Sequence, residues 1–191
     1  MEKIKQNPFV KKVGFNRIVL CCVLLLMYGL FCALTGGSFA GMNRIMSALN
    51  YAYFLGFLSL GVTFVIATGQ IDFSIGPVMF CCALMSGYTL TTHGISMPVA
   101  FLISILVGFA FGLFNGYLVA YWSVPSFITS MASMNIAKGL ASVYTKTQSV
   151  SWPQAADPDN GWFRNLVRYN GFPVGLVILL VVAVICAIIL N

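Results

Sequence analysis

The sequence predicts an all-α fold, a polytopic transmembrane helical bundle of about six spans, on three observations. Hydrophobic residues fill 60% of the 191 positions and charged residues only 7%, where a soluble domain carries about a quarter charged residues. Apolar runs of roughly 17 to 26 residues recur along the chain, each long enough to cross a hydrocarbon core of about 30 Å as a helix. Prolines stand at or near the starts of four runs, at Pro77, Pro98, Pro125 and Pro173, where a missing N–H costs nothing.

The first element is a basic tail, residues 1–17, which holds Lys3, Lys5, Lys11, Lys12 and Arg17, half of the ten basic residues. Such a cluster before the first span marks a cytoplasmic flank, so the net charge of +6 is read as a topology signal and nucleic acid is excluded as a partner. The first apolar run, 18–34, is longer than a signal-peptide core and predicts an uncleaved span, although Ser38 and Ala40 offer the small residues of a cleavage site. A Gly-, Ser- and Asn-containing connection with the single Arg44 leads to span two, 51–68. The stretch Gly69-Gln70-Ile71-Asp72-Phe73-Ser74-Ile75-Gly76-Pro77 interrupts the apolar pattern before span three, 75–90. Thr91-Thr92-His93-Gly94 turns the chain into span four, 97–122, and Ser123-Val124-Pro125 turns it into span five, 126–144. Residues 145–171 form the largest extramembrane piece, and span six runs over 172–190. Asp72 or Ser74, Ser96, Ser123 and Asn170 precede these starts as N-caps. Alternate crossings put 35–50, 91–96 and 145–171 outside and 69–74 and 122–125 inside.

Catalytic chemistry has little to build on. The chain holds one histidine, His93, and four carboxylates, too few for a Ser-His pair, a carboxylate dyad or a His-rich metal site. Cys21, Cys22, Cys32, Cys81, Cys82 and Cys186 all sit in apolar runs without CxxC spacing and read as packing residues. No catalytic, cofactor-binding or metal-binding residue is assigned. No Walker sequence cradles a phosphate, which places any energy source on another chain.

Five polar residues and three glycines are the candidate pathway and structural positions. Gly108, Gly112 and Gly116 stack on one face of span four, a small-residue stripe suited to helix packing. Asn115 beside them needs a partner in a low-dielectric setting and faces another helix or, as the second reading, a substrate path. Span five carries Thr129, Ser130, Ser133, Asn135, Lys138 and Ser142 and is expected to be shielded from lipid. Asn135, Lys138 and Ser142 fall on one face and either line a hydrophilic route or, for Lys138, snorkel to the nearby outer surface. Asp72, the only carboxylate between residues 3 and 156, is expected with Ser74 to organise the turn into span three; a proton relay is the alternative. In the outer segment, Trp162, Phe163, Leu166 and Val167 oppose Arg164, Asn165 and Arg168, which predicts a short interfacial helix. It rests on headgroups or docks a soluble partner.

Three stretches resemble the monosaccharide permeases of bacterial ABC importers, of the ribose, xylose and arabinose permease type. Gly61-Val62-Thr63-Phe64-Val65-Ile66-Ala67-Thr68-Gly69-Gln70-Ile71-Asp72-Phe73-Ser74-Ile75-Gly76 is similar to the family's GMTxVIxTGGIDLSVG. Gly112-Leu113-Phe114-Asn115-Gly116-Tyr117-Leu118-Val119-Ala120 resembles its GxxNGxLVA. Pro125-Ser126-Phe127-Ile128-Thr129 through Met134 to Ala137-Lys138-Gly139 resembles its PxFIxTLGxMxIxRG. Gln70, Ala132 and Lys138 depart from Gly, Gly and Arg: Gln70 adds a side chain where Gly permits any backbone angle, and Lys138 removes a bidentate guanidinium.

The resemblance implies part of a type II importer permease in the bacterial inner membrane. Its implied partners are a second permease copy, cytoplasmic ABC ATPase subunits and an extracytoplasmic solute-binding protein, with the lipid bilayer as solvent. Related branched-chain amino-acid permeases carry Asn and His in place of the Asp-x-Ser of 72–74, which favours a sugar; autoinducer-2 and nucleosides remain open. Two other classes stay in view, a secondary transporter, which needs coupling-ion ligands and often repeats, and a membrane scaffold. In the resembled family a charged coupling loop follows the span matching 172–190, so the chain is expected to be an incomplete permease, truncated, split or interrupted, that does not couple ATP hydrolysis alone.

Overall fold

A computed structural model of the protein describes residues 15–167 and 174–190, and the chain divides into two compact units after Ala48. Lys3, Lys5, Lys11, Lys12, Arg168 and the expected helix start at Asn170 and Pro173 lie outside the described residues. The described chain is all-helical and strand-free.

In the first unit, α1 spans Phe15–Leu34 and is followed by a single 3₁₀ turn, Ser38–Ala40. Gly36 and Gly37 adopt φ of 59° and 84°, left-handed values that a residue with Cβ resists. Thr35 fastens this turn: its Oγ1 donates to the Phe31 carbonyl at 2.7 Å and accepts the Phe39 N–H at 3.2 Å. The Phe39 ring then packs on Tyr28 and Phe31, with centroids 5.7 and 5.5 Å away.

Helix α2, Met42–Ala67, begins in the first unit and continues into the second. It starts at Met42 rather than at residue 51, because no Gly or Pro interrupts Met42–Asn50 and the polar residues there are absorbed locally. Ser47, for instance, donates to the Asn43 carbonyl one turn back at 2.8 Å.

The core of the second unit is three mutually packed helices, α3 (Ile75–His93), α4 (Met97–Tyr121) and α5 (Ser126–Tyr144). By length and apolarity α2, α3 and α4 qualify as membrane spans, while Val19–Leu34 and Val174–Leu190 are apolar but shorter. The chain is a multi-pass membrane protein. Helix α5 falls below the others in apolarity because its packed face is hydroxylated and small: Thr129, Ser130, Ser133, Ala137 and Ala141 are buried. Without a hydrophobic force between helices in lipid, such residues let backbones approach and gain dispersion contacts. Ala137 and Ala141 meet Cys81 of α3 and Phe111 of α4.

Helix starts follow the prolines with one change. Ser96 precedes α4 with Pro98 in its first turn, but α5 is preceded by Pro125 itself. Ser123 is not the cap; it takes φ 53° in the connection. Helix α3 closes on Gly94, whose φ of 62° lets its N–H reach the Leu90 carbonyl.

Beyond α5, residues 145–162 fold back as an ordered strap. The Asp157 Oδ1 accepts the N–H groups of Asp159 and Asn160 at 3.0 and 2.9 Å, an Asx turn. Gly161 closes it, since a Cβ there would lie 2.5 to 2.8 Å from the carbonyl oxygens of Asp157, Ala155 and Gln154. Arg164 Nε donates to the Pro153 carbonyl at 2.8 Å. The strap covers the turn between α3 and α4: Trp152 and Phe163 pack on Leu90, Met97 and Ala100, and Trp162 meets Phe101 edge-on at 6.5 Å. The helix expected in this segment is one short turn, α6, Phe163–Val167. Its aromatic start faces protein and Leu166 stays exposed.

Helix α7, Val174–Leu190, meets α2 through reciprocal glycines. A Cβ on Gly175 would stand 2.9 Å from the Tyr53 ring, and one on Gly56 would collide with Leu179. Gly175→Val is therefore expected to lower stability by about 1–3 kcal/mol, the cost of overpacking. Thermal melting in detergent checks it, with Gly29→Val, whose Cβ meets nothing within 4 Å, as the variant that should match wild type.

Candidate functional site

Where α2 and α4 end and α3 and α5 begin, the chain leaves a cleft of about 340 Å³. Phe64, Val65 and Val119 give it apolar walls; Thr68, Gln70, Asp72, Asn115, Ser126 and Ser130 give it a polar end; Gly112 and Gly116 keep one side open. All three motif stretches contribute to this lining.

The polar end is ordered by a relay. Asp72 Oδ1 accepts both the N–H and the hydroxyl of Ser74, each at 2.6 Å, which turns the chain into α3. With its hydrogen committed to Asp72, the Ser74 oxygen accepts from Asn115 Nδ2 at 3.1 Å. Asn115 Oδ1 in turn accepts the hydroxyl of Ser133. Four side chains from the turn, α4 and α5 thus satisfy one another, and Ser74 and Ser133 are buried. Asn115 serves as the hub because its side-chain amide presents a donor to one neighbour and, from a separate atom, an acceptor to the other. A further contact, from the Ile71 N–H to Ser126 Oγ at 3.2 Å, ties the turn to the start of α5.

The other candidate residues are placed as follows. Gly108 packs near Cys82, whose Sγ lies 3.6 Å from its Cβ position, whereas nothing stands within 4 Å of the Cβ positions of Gly112 and Gly116. Those two glycines border the cleft, and the small-residue packing inside the bundle is carried by α5. Asn135 and Lys138 are on the exposed face of α5, opposite the buried Ser133 and Ala137, and Asn135 donates to the Met131 carbonyl at 2.9 Å. They do not join the relay.

Two interhelical hydrogen bonds had no signal in the sequence beyond a hydroxyl in an apolar run. Ser104 of α4 donates to Ser86 of α3 at 2.8 Å, and Thr89 of α3 meets the Tyr144 hydroxyl of α5 at 2.8 Å. With the Asn115 relay they clasp the three helices at successive levels, each contact worth about 0.6 kcal/mol and at most about 1.7. Among the described residues no cluster of His, Cys, Asp or Glu could hold a metal.

Comparison with known proteins agrees with this architecture. The chain is 29% identical over 145 residues to the xylose transport system permease protein XylH of Haemophilus influenzae, covering 74% of this chain and 38% of that protein. It is 36% identical over 115 residues to the galactofuranose transporter permease protein YtfT of Escherichia coli, covering 60% and 33%. It is 29% identical over 203 residues to the fructose import permease protein FruF of Bifidobacterium longum, covering 99% and 54%. The chain thus spans between a third and just over half of the length of these relatives. No solved structure matches it. Residues 44–191, which include most of α2, all of α3 to α7, the cleft and the relay, match the family described as branched-chain amino acid transport system / permease component, and the chain belongs to that family.

Proposed function

We propose that this protein is a permease component of an ATP-binding-cassette importer that moves a monosaccharide across the bacterial inner membrane. The observation that carries this reading is the convergence of the three motif stretches on one cleft with apolar walls and an ordered polar end. A polar, ionisable group in a membrane protein is expensive unless it serves packing or a path, and here it borders open space. Relatives named for xylose, galactofuranose and fructose support a sugar as the solute. The role is passage, not catalysis. Cytoplasmic ATPase subunits supply the energy, an extracytoplasmic solute-binding protein delivers the sugar, and a second permease copy completes the route. The basic tail 1–17 lies inside and residues 145–171 lie outside, so the cleft opens toward the cytoplasmic side. The exposed stripe of Asn135, Lys138 and Ser142 on α5 faces that route or the second copy.

The test is uptake of labelled D-xylose, D-fructose and D-ribose by cells that carry or lack the gene. Loss of uptake of one sugar, restored by the gene, is expected; unchanged uptake of every sugar together with loss of L-leucine uptake would reject a sugar as solute. Asp72→Asn tests the relay. Replacing the charged oxygen that accepts two short bonds by a neutral amide oxygen should lower the amount of folded protein severalfold, as seen by immunoblot of membranes. A normal amount with an altered sugar profile would show that Asp72 acts on solute instead of on the turn.

A further inference from the structure

The polar groups of the cleft divide into two sets. Ser74, Asn115 and Ser133 have spent their hydrogen bonds on one another, so they are framework. Gln70 differs. Its N–H binds the Val65 carbonyl at 3.2 Å, and the left-handed residue of the turn is Gly69, at φ 73°. The side chain that departs from the family's Gly at 70 therefore sits on an unstrained backbone. Its amide forms no hydrogen bond among the described residues, and no buried side-chain polar atom lacks a partner, so the half-buried Gln70 keeps its amide accessible at the cleft it lines. The same holds for the second carboxylate oxygen of Asp72, since Oδ1 takes both bonds from Ser74. Ser126 Oγ accepts the Ile71 N–H and retains a hydrogen to donate.

An amide that donates and accepts, beside a carboxylate oxygen that only accepts and a hydroxyl that donates, matches a solute whose groups both donate and accept. Neutral hydroxyls do so. An anionic group does not fit, because among the described residues no Lys or Arg lines the cleft to meet it and Asp72 stands in the way. That argues against the carboxylate of an amino acid, despite the family's description. Phe64, Val65 and Val119 suit the C–H face that a sugar ring presents beside its hydroxyls. The volume, about 340 Å³, lies in the small-molecule range of about 300–1,000 Å³. We propose that Gln70 is a specificity-determining residue of a cleft subsite for a neutral, hydroxyl-bearing ring. This rests on the importer reading above and adds the residue that selects among sugars.

Gln70 variants test it in cells with the complete transport system. Gln70→Cys is treated with a small thiol reagent, with the wild-type chain as blank, in the presence of D-xylose, D-fructose or L-leucine. Gln70→Ala, Gln70→Asn and Gln70→Glu are scored for the ratio of D-xylose to D-fructose uptake at equal protein level. The expected result is slower labelling with at least one sugar and not with leucine, and a shift in the uptake ratio of about five- to tenfold, the worth of one hydrogen bond. Slower labelling with an uptake ratio unchanged within about twofold of wild type would remove Gln70 as the selecting residue and leave the importer reading standing. Protection by leucine alone would overturn the solute class. Wild-type sugar uptake with no protection at position 70 by either sugar would overturn the subsite, whereas absence of all sugar uptake in wild type would overturn the importer reading. Should Gln70→Ala fail to accumulate, the ratio in Gln70→Asn and the labelling of Gln70→Cys give the same decision.

Discussion

Asn115→Asp is expected to destabilise the protein by about 2–4 kcal/mol, more than Asn115→Ala at about 1–2 kcal/mol, although it changes a single atom. The reason lies in the direction of the relay. Ser74 has given its hydrogen to Asp72 and can only accept from position 115, which Nδ2 of Asn115 satisfies at 3.1 Å. An aspartate there turns a donor toward Ser74 into an acceptor and brings a second negative charge within one serine of Asp72. Alanine removes two bonds, but Ser133 can then bond the carbonyl one turn back, as Ser86 does at 2.6 Å. Melting of the detergent-purified variants gives the order: wild type, then alanine, then aspartate. Aspartate equal to or more stable than alanine would show that the amide's direction does not matter and that the relay is not what joins α4 and α5 to the turn.

How much of this was legible in the sequence depends on the range of the signal. Composition and run length define an all-helical membrane protein because lipid makes every spanning segment satisfy its own backbone. The prolines mark starts well, since their effect is confined to one turn; Ser123 failed as a cap because Pro125 itself occupies that place. The relay was half visible. Asp72 with Ser74 is a contact between residues two apart, readable as a turn device, and Asn115 announced its need for a partner. Which partner it takes depends on helix rotation, and Ser133 looked no different from Ser130 or Ser142. Helix rotation also decides α5: the stripe of Asn135, Lys138 and Ser142 drew attention through charge, while the packed face is the quieter row Thr129, Ser133, Ala137 and Ala141. Small residues signal close packing only when a neighbour is present. Gly112 and Gly116 have none among the described residues, and the glycines that receive side chains most closely, Gly56, Gly87 and Gly175, belong to no stripe of glycines four residues apart.

Gly87→Val is expected to release the strap of residues 145–162 from the α3–α4 turn. Gly87 is fully packed under that strap: a Cβ would stand 2.7 Å from Val150 Cγ1 and 2.8 and 2.9 Å from Nε1 and Cε2 of Trp152. None of these atoms is the free end of a flexible chain. The indole is held by Phe163 at 5.9 Å and by the cluster around Leu90, Met97 and Ala100. The helix cannot move aside either, because Ser86 next to Gly87 is buried against Ser104. Overpacking of about 1–3 kcal/mol therefore falls on the strap, whose other ties are the Arg164 bond to Pro153 and the Trp162 edge on Phe101. Both are surface contacts that hold about 1 kcal/mol each at most, so the strap is the part that yields. Cleavage by an aspartate-specific protease at Asp157 and Asp159 should become several times faster in Gly87→Val, while Gly139→Val, where a Cβ meets nothing within 4 Å, cleaves as wild type. Gly87→Ala with Val150→Ala should recover much of the protection that Gly87→Ala loses, because the second change removes the nearest colliding atom. Equal cleavage of Gly87→Val and Gly139→Val would mean that the strap is held by its own Asx turn and Gly161, and that its seat on α3 contributes nothing.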